Sequence, residues 1–187
     1  MELRGPNSGL LQLLSAEHHR LYRTAYSWCC DPALAADLSQ EAMLRALSRL
    51  DQLRDGQKLK PWLYAILHNC FLSYLRKERP NEPLEELVLA RAQVYESPES
   101  TEQARERSEI VRRVRDAICK LPLGQRQVIT LIDLDSCSYA EVAEILEVPI
   151  GTVMSRLYRA RQALRTLIAE PTAARTQPRL RIVAEER

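Results

Sequence analysis

The chain has 187 residues, 45% of them hydrophobic and 28% charged, with a net charge of +2. That is enough for one ordinary domain or two small ones, globular rather than disordered. Few aromatics and only five glycines, beside abundant Leu, Ala, Arg and Glu, favour helix over sheet.

The first helix is predicted from about Asn7 to Cys30, with Leu14, His18, Leu21, Ala25 and Trp28 recurring on one inward stripe. Asp31-Pro32 restarts the chain, Asp as N-cap and Pro at the first helical position. The second helix carries Leu34, Leu38, Ala42, Met43, Ala46, Leu47 and Leu50 as apolar residues and ends before Asp55-Gly56. A third runs from near Pro61 to Lys77. Its core face holds Leu63, Ile66, Leu67, Cys70, Phe71 and Tyr74, and Trp62, Ala65, Asn69, Ser73 and Arg76 line the opposite stripe. A Trp on a polar stripe is unusual, and packing against the preceding loop is the ordinary explanation.

Between Asn81 and Glu102 lie six acids against the single base Arg91, with Pro83 and Pro98. This stretch reads as an acidic linker between two helical domains. Ser97-Pro98 signals the next start. Ile110, Val111, Val114, Ala117, Ile118 and Leu121 form the inward stripe of the helix that follows, and a short helix then buries Val128, Leu131 and Ile132. The fold class is therefore all-α, two small helical domains joined by an acidic linker. The predicted boundaries are 8–79, a linker at 80–100, 101–170, and a polar tail at 171–187.

Ser138-Tyr139-Ala140-Glu141 is a capping box. It opens a helix of about two turns, broken by Glu147-Val148-Pro149, and a longer basic helix runs from about Ile150 to Ile168. This is the layout of a helix-turn-helix. Val142, Ala143, Leu146, Val148, Val153 and Leu157 would form its shared core, and Ala160 and Leu164 continue the inward stripe. Thr152, Ser155, Tyr158, Arg159 and Gln162 face away, flanked by Arg156 and Arg161. Hydroxyls, an amide and arginines on one exposed helix face suit the major groove and the phosphates beside it.

The five cysteines, Cys29, Cys30, Cys70, Cys119 and Cys137, include no CxxC pair and read as reduced core thiols. His18-His19 and Cys29-Cys30 are badly placed to share a metal, since adjacent residues point to different helix faces. No nucleophile-base pairing, paired carboxylates or phosphate loop is present, so no cofactor, no metal and no enzymatic activity are expected. The N-terminal MELRGPNSGLLQLL lacks a secretion signal's pattern, and no run approaches the roughly 18 apolar residues of a membrane span. A soluble, cytoplasmic protein is expected.

Three stretches carry a family resemblance: DLSQEAMLRALSRLDQL, PWLYAILHNCFLSYLRKER, and LPLGQRQVITLIDLDSCSYAEVAEILEVPIGTVMSRLYRARQAL. Together they resemble the extracytoplasmic-function sigma factors, small two-domain initiation subunits of bacterial RNA polymerase. The resemblance spans residues 10 to 170 or so. It implies that Asp37, Gln40 and Glu41 bear on core polymerase. It implies that Trp62, Asn69, Ser73 and Arg76 read the −10 element of promoter DNA, Asn69 capturing an unstacked base. It implies that Thr152, Met154, Ser155, Arg156, Tyr158, Arg159 and Arg161 serve the −35 element. An anti-sigma factor, often membrane-bound, is the implied regulator, and the two domains are expected to fold around separate cores and to pack together when inhibited. Ser39 and Met154 depart from the family's usual residues. A stand-alone helix-turn-helix regulator is the competing reading, and it leaves the first domain unexplained.

Overall fold

A computed structural model of the chain describes residues 8–53, 55–78, 80 and 102–169. The expected acidic linker, apart from Pro80, the Ser97-Pro98 start and the polar tail lie outside these residues. Every described element is helical. The α-helices are α1 (Ser8–Cys29), α2 (Pro32–Ser48), α3 (Leu59–Glu78), α4 (Glu102–Cys119), α5 (Leu123–Ile129), α6 (Tyr139–Leu146) and α7 (Ile150–Ala169).

Local chemistry sets the first three. Asp31 caps α2, its Oδ1 accepting from the backbone N–H of Ala33 at 2.8 Å and of Leu34 at 3.1 Å, an arrangement worth about 1 kcal/mol. Pro32 then supplies a preset helical φ at a position whose N–H is not needed. α1, α2 and α3 pack into one unit around Leu21, Ala25, Trp28, Leu38, Ala42, Leu63, Leu67 and Phe71, all buried. Ala25, Ala42 and Ala46 are completely covered, and their small side chains let the helices approach closely. Buried Ser39 satisfies its hydroxyl on its own helix, donating to the Ala36 carbonyl at 2.9 Å. One expectation fails here. His18 is exposed rather than in the core stripe, because Leu14 is the residue covered at that end of α1 while Leu13 lies open. Leu47, one of the apolar residues of α2, is also exposed, on its outer side.

In the second half, α4, α5 and α6 all pack on α7. Ala117, Ile118 and Leu121 are buried as expected, but Ile110 and Val111, earlier on the same stripe, are exposed. A π-helical turn at Thr130–Leu134 follows α5, the Asp135 N–H reaching back to the Thr130 carbonyl at 3.0 Å. The capping box forms at α6: the Glu141 N–H donates to Ser138 Oγ at 3.3 Å, and the Ser138 N–H to Glu141 Oε2 at 2.7 Å. Glu147 ends α6 in the left-handed region, φ 53° and ψ 43°. That turn aims α7, where Val153, Leu157 and Ala160 are buried.

The two halves do not keep separate cores. One continuous cluster runs from Leu14 to Ala160, and α3 packs directly on α6. Ile145 is buried as well as Val142 and Leu146, because α6 is packed between α7 and α3. The cysteine expectation also needs correction. Cys30 and Cys119 form a disulfide across the two halves, their Cα atoms 5.9 Å apart, while Cys29, Cys70 and Cys137 are free. Sequence spacing gave no hint, since the partners are 89 residues apart and meet only because the halves dock.

Glu147 is exposed, so its side chain contributes little to set against its left-handed backbone. Replacement by glycine, which adopts that conformation freely, should raise stability by roughly 0.5–1 kcal/mol, read as a higher urea midpoint with unchanged slope.

Candidate nucleic-acid interface

The outward face of α7 forms as the spacing predicts. Met154, Ser155, Tyr158, Arg159 and Arg161 are exposed, and Thr152 is half-buried. The face is partly ordered by its own hydrogen bonds. Ser155 Oγ donates to the Thr152 carbonyl at 3.0 Å, and Arg159 Nε donates to the Ser155 carbonyl at 3.2 Å. Arg159 therefore lies along the helix over Ser155, so the two present one polar surface. The flanking arginines differ. Arg161 makes a two-point ion pair with Asp133 of the π turn, at 3.1 and 2.6 Å, which ties it to its own domain. Arg156 is half-buried toward the first half, near enough to His68 for the two charges to repel. Burial, then repulsion from Arg159, lowers the Arg156 pKa.

On α3, Asn69, Ser73 and Arg76 are exposed along one stripe, and Trp62 is half-buried against the core. Ser73 Oγ donates to the Asn69 carbonyl at 2.8 Å, within the helical segment that carries exposed Asn69. The structure thus brings these four onto one helix. The α7 residues form a second surface, on a helix that packs against α6, which in turn packs on α3.

The third predicted cluster sits on α2. Asp37, Gln40 and Glu41 are all exposed, and Glu41 pairs with Arg45 at 2.5 Å. Beside them, at helical spacing from Gln40, lie Leu44, 67% exposed, and Leu47, 45% exposed. The two open leucines and the acids beside them thus share one exposed face of α2. The sequence reading placed Leu47 among the apolar residues of this helix and did not single out Leu44. The signal was available, since Gln40, Leu44 and Leu47 fall on one line of the helix.

Residues 13–80 match the sigma-70 region 2 family and residues 111–164 match sigma-70 region 4. The ECF RNA polymerase sigma factor SigW of Bacillus subtilis is 30% identical over 168 residues, 87% of this chain and 90% of that protein. The chain belongs to the extracytoplasmic-function group of the sigma-70 family. The ECF RNA polymerase sigma-E factor of Escherichia coli K12 is 35% identical over 137 residues, 68% of this chain and 70% of that one. Among solved structures, the sigma factor RpoE in complex with the anti-sigma factor NepR from Bartonella quintana is similar, with TM-score 0.67 and 28% identity over 86% of this chain and 96% of that one. Sigma factors are regulatory initiation subunits. The match to both regions in order accounts for the first domain, which a stand-alone regulator would not. Among the described residues of this sigma factor, no helix is long and apolar enough to cross a membrane.

Within the continuous hydrophobic cluster, the seam between the two regions also carries polar pairs. His68 Nδ1 lies 3.1 Å from Gln127 Nε2, and the His68 ring meets Trp28 edge-on with centroids 6.1 Å apart. Thr24 Oγ1 donates to Asp135 Oδ2 at 2.8 Å, and Lys60 Nζ donates to the Asp135 carbonyl. Burial, and then repulsion from Arg156 and Arg76, pulls the His68 pKa from 6.5 down to about 4. The folded state thus prefers neutral imidazole. Its contribution is complete above pH 6.5 and is lost as pH falls through 4, a swing of about 3 kcal/mol. Asp135 acts in the opposite sense, since burial raises its pKa and folding favours its protonation. His68→Gln should therefore flatten the loss of stability between pH 7 and 4, measured by urea unfolding at each pH. An equal acid slope in the variant would remove His68 from the seam's titration.

Proposed function

We infer that this chain binds core RNA polymerase and directs promoter-specific initiation. It reads a −35 element with α7 and a −10 element with α3, and carries out no bond chemistry of its own. The observation that carries this reading is the Ser155–Arg159 surface of a correctly capped helix-turn-helix, placed in one chain with the Asn69 stripe of α3. Each surface has the donors its task requires: guanidinium and hydroxyl for the major groove and phosphates, a side-chain amide for the edge of an extruded base. Thr152, Met154, Ser155, Tyr158 and Arg159 are assigned to the −35 element, with Arg156 and Arg161 as flanking phosphate contacts. Trp62, Asn69, Ser73 and Arg76 are assigned to the −10 element. Asp37, Gln40 and Glu41, joined by Leu44 and Leu47, form the docking face for core polymerase.

The proposed organisation is a polymerase-binding and −10 domain at 8–79, a linker at 80–100, a −35 domain at 101–170 and a tail at 171–187. The protein works in the cytoplasm, where polymerase and promoters are. An anti-sigma factor restrains it, as the complex with NepR illustrates for a relative.

Run-off transcription with purified core polymerase, over templates with randomised −35 and −10 elements, tests the whole reading. A transcript that depends on the chain is expected. Arg159→Ala should weaken promoter binding roughly tenfold or more, the worth of one good base or phosphate contact, and leave affinity for core polymerase unchanged. Equal loss of both would indicate a folding defect instead. Asn69→Ala should lower open-complex formation roughly 3- to 10-fold, the worth of one base-edge hydrogen bond. In permanganate footprinting, duplex melting should fall while −35 protection persists.

A further inference from the structure

Cys30 and Cys119 are buried at the seam, Cys30 just past the end of α1 with φ 57° and Cys119 in the last turn of α4. Arg126 on α5 donates from Nη1 to Cys30 Sγ at 3.0 Å. The arginine is itself buried, its Nε has no hydrogen-bond partner among the described residues, and burial draws its pKa down to about 10. A guanidinium taken out of water calls for an anion. The thiolate of a reduced Cys30, in direct contact with Nη1, is placed to be one, with Cys29 also near the guanidinium, and a neighbouring cation is what makes a cysteine reactive. In a reducing cytoplasm, the disulfides that do form are mostly transient or redox-sensing. An oxidised bond and a cation that favours the thiolate therefore occur at one spot, on the boundary between two regions that must work apart.

How far apart is set by the DNA. Elements centred roughly 25 base pairs from each other lie ~85 Å apart along B-DNA at about 3.4 Å per pair. A compact chain of this length has a radius of gyration of roughly 16 Å, so it is only ~40 Å across. With α3 packed on α6, and α6 on α7, the two readers are a few helix diameters apart. One docked molecule cannot reach both elements. Residues 81–101, drawn out at up to about 3.4 Å each, would give a reach of ~70 Å, but only when nothing else joins the two regions.

We propose that Cys30 and Cys119 are a redox latch: oxidised, they hold the two promoter-reading regions together and keep the chain from using a promoter, and reduction by a dithiol frees them. This rests on the sigma-factor reading above. On reduction, a local opening of the seam uncovers Cys119 Sγ, a thiolate of the dithiol attacks it, and Cys30 departs as a thiolate beside Arg126. The reductant's second thiol then closes its own disulfide, Cys119 leaves as a thiol, and two electrons have passed to the protein. On oxidation, the Cys30 thiol takes one oxygen from a hydroperoxide, giving a sulfenic acid and releasing the alcohol or water. The Cys119 thiol then displaces that oxygen as water and the bond reforms.

The test compares one preparation of the full chain in two states. One is treated with hydrogen peroxide and the other with dithiothreitol, and both reagents are removed before core polymerase is added. Peptide mass mapping identifies the cross-link. The oxidised chain should give at least tenfold less run-off transcript than the reduced one, with recovery after dithiothreitol. Cys119→Ser should remain active after peroxide. The latch is overturned if a chain with a verified Cys30–Cys119 bond transcribes as well as the reduced chain, or if peroxide joins other cysteines instead. A reduced chain that yields no transcript overturns the sigma-factor reading, not the latch. Small-angle scattering then decides the latch alone: a larger radius of gyration on reduction supports it, and equal radii overturn it.

Discussion

The structure turns on the C-terminal half of α1. From a single stretch, Thr24 reaches Asp135, Trp28 meets the His68 ring that contacts Gln127, and Cys30 touches Arg126 and is bonded to Cys119. Each of these contacts crosses to the second region or supports a residue that does. Through them α6 is seated on α3, and through α6 the direction of α7 is set relative to the first region. The half-burial of Arg156 follows from the same docking, and so does the division of α3 into a covered side with Tyr64 and His68 and an open side with Asn69 and Arg76.

Beside the shared apolar cluster, that contact includes groups that also do well in water. Gln127, His68, Arg126, Thr130 and Asp135 are all buried there. Each gives up hydration to dock, and the Arg126 Nε and Thr130 Oγ1 find no partner among the described residues. Opening the seam exposes the shared apolar cluster at about 25 cal/mol per Å². The polar groups recover hydration at the same time, which lowers that cost, as is typical of regions that associate and part. Apolar packing and a few specific bonds together hold the docked state, and chemistry acting on those bonds can shift it.

What could be read from the sequence was what neighbours in the chain decide. The Asp31 cap, the Ser138 capping box, the inward Val153, Leu157 and Ala160 and the outward Ser155 and Arg159 all depend on spacing within one helix or one turn, and spacing is visible. His68, Tyr64, Gln127 and Arg126 are buried by residues far away in the chain, and nothing local marks them. The same blindness produced the misreading of the cysteines: Cys30 and Cys119 became partners only once the regions met. His18 failed for the reverse reason, since periodicity indicates which way a residue faces but not whether another helix is there to cover it. Leu44 and Leu47 show the limit of assuming that leucines go inside. On α2 they stand open beside Gln40 and Glu41, where a partner's surface can use them.

The bond between Cys30 and Cys119 also changes what kind of object the chain is. With it, residues 30 to 119 form a closed ring that contains α2, α3 and all of α4, and the rest of the chain hangs from it as two tails. A linear strand can be drawn through a narrow passage, with a folded knob at either end brought up afterwards. A ring has no end to lead with. Any partner that receives the middle of this chain inside a channel must meet it as a line, so one covalent bond far from that segment decides whether threading is topologically open to it.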